Sequence, residues 1–226
     1  MANKFEGYTG KIAESEVLGE TTPEEKEREK EFNGEYISFK QAVELVKDNG
    51  RQPFEDPTNP EEKPFPHDLH ATLVEMLSLD NYEQLRFYTA VGSYLDKKHG
   101  VDAFVELDLG GGDLVRATLD MTQNPNKQDY KADVVFQWPN EGLDRKDPSD
   151  RVAWQDKVSE VSKELTDVLT TEARVAGKTI RSLNEEEIKE SYEIAEARKH
   201  SHKWRAGLPI RKNRNLHSQQ YHEHEA

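Results

Sequence analysis

The chain has 226 residues, a net charge of −14 and equal shares of apolar and charged residues, 34% each. This length suits one domain with tails, and the polarity is too high for packing from end to end, so charged, disordered arms are expected. The absence of cysteine excludes disulfides and thiolate chemistry, and no apolar run approaches the ~20 residues of a membrane span.

The N-terminal stretch MANKFEGYTGK carries charge with no apolar run behind it, so it does not read as a secretory signal. A cytoplasmic protein with no membrane partner is expected. Residues 1–36 read as an acidic arm, because TTPEEKEREKEF offers no apolar face. At Ser38 and Gln41 the spacing fits a capping box, and Val43, Leu45 and Val46 give a short helix that Asn49-Gly50 stops. Five prolines between Pro53 and Pro66 predict an extended linker, with Phe54 and Phe65 as its packing anchors.

From Asp68, the positions of Leu69, Leu73, Met76 and Leu77 predict a helix. Asp80 and Glu83 repeat the capping spacing and predict a second helix through Leu85, Tyr88, Val91, Gly92 and Leu95 to His99-Gly100. The period then changes to two. Val101, Ala103, Val105, Leu107 and Leu109 alternate with polar residues, as do Val115, Ala117, Leu119 and Met121 beyond three glycines. This is the pattern of a hairpin with one dry face and one polar, solvated face. Residues 131–138, KADVVFQW, predict a third strand.

A long helix beginning at Ser149 or Asp150 carries Trp154, Val158, Val161, Leu165, Val168 and Leu169 on one face, and another helix follows Asn184. The predicted class is α+β: a small, mainly antiparallel three-stranded sheet packed on helices. The predicted domain spans 37–178, with a further helix over 179–200 and a basic, histidine-rich tail over 201–226. In that tail Lys203, Trp204, Arg205, Arg211, Lys212 and Arg214 combine charge with a ring, a composition that can hold phosphates and stack on bases. A protein partner is the alternative target of the arms.

The polar side of the hairpin carries the chemistry. One register places Glu106 opposite Arg116, Phe104 opposite Thr118 and Asp102 opposite Asp120; a shifted one puts Asp102 beside Thr122 and separates the aspartates. Facing carboxylates are kept where a cation, a shared proton or a base compensates. Mg²⁺ or Mn²⁺ held by oxygen ligands is one reading, and an ordinary solvated sheet surface is the other. GGGDL lacks the glycine spacing and following helix of a phosphate loop, and no Gly-x-Ser-x-Gly nucleophile context occurs.

The order of a helix, a strand beginning HGVDAF and a strand ending TLDMT, with a lysine nearby, resembles the PD-(D/E)XK nuclease-like superfamily over about residues 68–138. The resemblance implies a mixed sheet of restriction-endonuclease type and a metal-dependent nuclease. In it Asp102 and Asp120 are metal ligands, and Glu75 or Glu83 is the helical carboxylate. The family's acidic-x-lysine triplet here reads Asp120-Met121-Thr122, so its lysine role passes to Lys127 or Lys131. The alternative function is a non-catalytic interaction or scaffold protein that uses its charged arms.

Overall fold

The computed structural model describes residues 6–19, 36–48, 63–124 and 131–205. Their helices are α1 (Glu6–Leu18), α2 (Phe39–Asp48), α3 (Pro64–Met76), α4 (Tyr94–His99), α5 (Arg151–Val175) and α6 (Glu185–Arg205). The strands are β1 (Leu85–Thr89), β2 (Ala103–Asp108), β3 (Leu114–Thr122) and β4 (Val134–Gln137), in sheet order β1-β2-β3-β4. The first three strands pair antiparallel, and β4 lies parallel to β3. The class is α+β, but the sheet has four strands and is mixed, where three mainly antiparallel strands were expected. None of the described helices is long and apolar enough to cross a membrane.

The extra strand, β1, falls inside the predicted second helix. The stretch LRFYT is buried at four of its five positions, so it shows no alternation and imitates a buried helix segment. Its entrance is a 3-10 turn, Tyr82–Gln84, capped by Asn81, whose Oδ1 accepts the Glu83 amide at 2.9 Å. Gly92 sits at φ 83°, a turn conformation and not a helix interior.

One face of the sheet is apolar. Phe87, Val105, Ala117, Leu119 and Phe136 join Phe65, Leu69 and Leu73 of α3 and Val161, Leu165 and Leu169 of α5 in one buried cluster. Helix α3 begins at Pro64 and not at Asp68, because proline suits a first helical turn, where no intrahelical amide is needed. Phe65 is thereby seated against Phe136 and Trp138, at ring separations of 5.4 and 5.0 Å. Phe54 lies outside the described residues, as does the acidic run Pro23–Phe32. Within the stretch read as an arm, α1 buries Leu18 in the same cluster, and Lys63 Nζ donates to the Ser15 carbonyl at 2.9 Å.

The opposite face is not solvated. Glu106 and Asp108 are fully enclosed, and Asp102 and Asp120 are each 3% exposed. Helices α2 and α4 cover part of this face with Ala42, Val43, Val46 and Leu95, packed with Tyr88 and Phe104. Helix α6 reaches it through Ser191 and Tyr192. Glu106 can be buried there because Lys47 of α2 and Arg116 of β3 satisfy it. The Asn184 side chain accepts the Glu187 amide and Glu187 accepts the Asn184 amide, both at 3.0 Å, which starts α6 where the sequence predicted a helix. The helix continues to Arg205, past the predicted start of the tail.

Candidate functional site

The hairpin takes the register that sets Glu106 opposite Arg116, which brings both aspartates to its open end. Glu106 pairs with Arg116, Phe104 with Thr118 and Ala103 with Leu119, and the next residue outward on each strand is Asp102 or Asp120. The three glycines make this turn possible, with φ between 65° and 83° at Gly110, Gly111 and Gly112. At the open end, the Asp102 amide donates to the Leu119 carbonyl at 2.9 Å, and Asp102 Oδ2 accepts the Met121 amide at 2.7 Å.

Burial is the largest influence on Asp102. The charges of Glu14, Asp120 and Asp96 add to it and outweigh the Met121 hydrogen bond, so the pKa is pushed up to about 9. This environment favours a proton shared within the acidic group over full ionisation of Asp102. Asp96 Oδ2 meanwhile accepts the Gly92 amide at 2.8 Å.

Glu14 comes from α1, in a stretch with no local signal of a site. Only the return of α1 onto the core brings it to this end of the sheet. Glu75 and Glu83 are exposed, and neither is among the groups acting on Asp102. Lys131 is exposed and its ammonium donates to the Lys98 carbonyl at 3.3 Å. Lys127, Arg211, Lys212 and Arg214 lie outside the described residues. Lys203, Trp204 and Arg205 belong to the backbone of α6. Among the described residues, no group of three or more histidine, aspartate or glutamate side chains forms a ready-made metal cage.

Further along the same face, Glu106 is gripped from two sides. Lys47 Nζ of α2 lies 2.6 Å from its Oε2, and the Arg116 guanidinium bonds its Oε1 through Nη2 and through Nε, the latter at 3.1 Å. Tyr88 stacks on Phe104 at 4.9 Å, and Arg86 lies 3.5 Å from the centre of the Tyr192 ring. Asp108 Oδ1 accepts from Ser191 Oγ at 2.5 Å and from the Gly110 amide at 2.8 Å, while burial raises its pKa. Its Oδ2 has no hydrogen-bond partner among the described residues. This is a structural polar layer: two cations match Glu106, a hydroxyl and an amide hold one oxygen of Asp108, and the layer ties α2 and α6 to the sheet.

Surface hollows among the described residues lie elsewhere. One, of about 320 Å³, is lined by Asp68, Thr72, Trp154 and Ser159; another, of about 240 Å³, by Ile12, Val17, Trp138 and Asn140. The Asp68 carboxylate accepts Trp154 Nε1 at 2.9 Å and pairs with Arg145 at 3.0 Å. Of the histidines at the start of α3, His70 is structural: its Nε2 donates to the Leu85 carbonyl at 2.8 Å and burial lowers its pKa.

Comparison with protein-family models, with curated proteins and with solved structures finds no match.

Proposed function

We propose that the chain is a divalent-cation-dependent domain of nuclease type, acting on or binding nucleic acid at the open end of the hairpin. The observation that carries this reading is the buried pair Asp102 and Asp120, with Glu14 brought to it from α1. Burial and the charges of Glu14, Asp120 and Asp96 together displace the Asp102 carboxyl, and such displaced groups cluster at functional sites. In this reading a mixed sheet, with Asp120 in β3 and Asp102 just ahead of β2, supports the PD-(D/E)XK resemblance.

The donor set fits Mg²⁺ or Mn²⁺, because these carboxylate oxygens are hard ligands. Asp102 and Asp120 would hold the ion with water completing its shell, and Glu14 would add negative charge from α1 without being a ligand. A bound ion would polarise a phosphodiester and acidify a water. The chain's own part is to supply the negative charge, release the Asp102 proton and keep the pair fixed through the Met121 amide. The role of the missing lysine falls to Lys127, or to Lys131 once it leaves the Lys98 carbonyl. The basic residues Lys203 to Arg214 would add contacts to phosphates.

A non-catalytic reading draws on one observation: Thr122 stands in the lysine position, and Lys131 is engaged at Lys98. The two readings separate in an assay of a labelled oligonucleotide with Mn²⁺. Cleavage by the wild type and none by Asp120→Asn is the expected result. Equal cleavage by both proteins, or by neither, removes the catalytic reading.

A further inference from the structure

An aromatic and cationic platform lies beside the acidic end. Tyr36 is 79% exposed and Phe39 39% exposed, so both rings are open to solvent. Both pack on His99, with ring centres 6.0 and 5.7 Å from it in edge-on geometry. The segment is anchored from beneath: the Ile37 amide donates to the Tyr94 hydroxyl at 3.0 Å, and His99 Nε2 donates to the Ile37 carbonyl at 3.0 Å. These bonds hold the rings in place before any ligand arrives, which lowers the ordering cost of binding.

The surroundings are basic. Lys97 and Lys98, at the end of α4, are exposed, and Lys131 is fixed beside them by its bond to the Lys98 carbonyl. Among the described residues, two nearby acids are engaged by the backbone: Asp96 accepts the Gly92 amide, and Asp133, although exposed, accepts the Thr118 amide and hydroxyl at 2.9 and 2.6 Å. On a chain of net charge −14 this is the locally basic surface that a polyanion needs.

We infer that this platform binds single-stranded nucleic acid, with bases stacked on Tyr36 and Phe39 and phosphates against Lys97, Lys98 and Lys131. Accessible rings interleaved with cations suit an unpaired strand, because a duplex keeps its base faces stacked inside. His99 and Asp102 are three residues apart, a reach of at most about 11 Å. A strand seated on the rings therefore passes the carboxylates within on the order of three nucleotides. The inference rests on the nucleic-acid reading above and specifies its substrate as single-stranded.

The test is fluorescence anisotropy of a labelled oligothymidylate of about 20 nucleotides, titrated with the full chain in EDTA, so that binding is read without cleavage. The wild type is expected to bind it at least about tenfold more tightly than a duplex of the same length. Tyr36→Ala with Phe39→Ala should weaken binding about tenfold, while Tyr36→Phe, which keeps the ring, should not. Lys98→Glu should weaken binding and flatten its salt dependence. The inference is overturned if the wild type does not bind, if duplex binds equally well, or if the ring variants bind as the wild type does. It is also overturned if only substitutions at Lys203 to Arg214 reduce binding. Manganese-dependent cleavage is read separately. Platform binding without cleavage removes the catalytic reading alone, and cleavage unaltered by the ring variants removes the platform alone.

Discussion

On one face of the sheet Val105, Ala117 and Leu119 share a buried cluster with Phe65, Leu69 and Leu165; one residue along the same strands, Asp102, Glu106 and Asp108 are enclosed on the other face. The first face is held by apolar area removed from water, which needs no particular partner. The second depends on specific partners: Lys47 and Arg116 for Glu106, and Ser191 for Asp108. Where such partners are supplied, the buried charge serves structure. Asp102 is different, because Glu14, Asp120 and Asp96, whose charges act on it, are themselves acidic. This contrast distinguishes a structural polar layer from a candidate site on the same surface.

Substitution can break each side of the contrast. The largest effect is expected from Phe65→Ala, which empties the aromatic centre of the apolar face and should cost about 3–5 kcal/mol in urea unfolding. Next comes Glu106→Gln, which leaves Lys47 and Arg116 facing a neutral group. Since those cations are partly exposed, the loss should be about 2–3 kcal/mol, and Lys47→Met made in addition should recover part of it. A result near zero would mean that the polar layer does not hold α2 in place.

Asp102→Asn should act in the opposite direction. The folded pKa lies above the unfolded one, so the folded state binds the extra proton between about pH 4 and pH 9, and stability falls as pH rises through that window. An amide removes that dependence. The variant should melt several degrees above the wild type at about pH 8 and close to it at about pH 4. A pH-independent difference would contradict the buried acidic pair.

The smallest expected effect is at Gly112. There a Cβ would meet Ile194 Cγ2 at 2.5 Å and the backbone is left-handed, so Gly112→Ala should cost about 1–2 kcal/mol by pushing α6 off the turn. Amide exchange should show α6 opening ahead of the apolar core.

Alternation made the hairpin and its apolar side legible in the sequence, and the three glycines marked the turn. The strand β1 was hidden because both of its faces are buried and because the Asp80–Glu83 spacing imitates a helix start. The direction of β4 depends on how the chain crosses from β3, which local pattern does not encode. The polar face read as solvated because charged residues usually are. Its compensation comes from Lys47 and Ser191, far away in sequence from Glu106 and Asp108. Asp102 and Asp120 were identified from the strand pattern, whereas Glu14 was not, since only tertiary packing delivers it.

The central claim is that the acidic end of the hairpin takes a divalent cation in exchange for a proton. Calorimetric titration with Mn²⁺ near pH 7, repeated in two buffers of different ionisation enthalpy, counts both. The account predicts binding with release of about one proton per ion, and loss of both in Asp120→Asn. Absence of binding by the folded wild type, or binding unchanged in that variant, would contradict it.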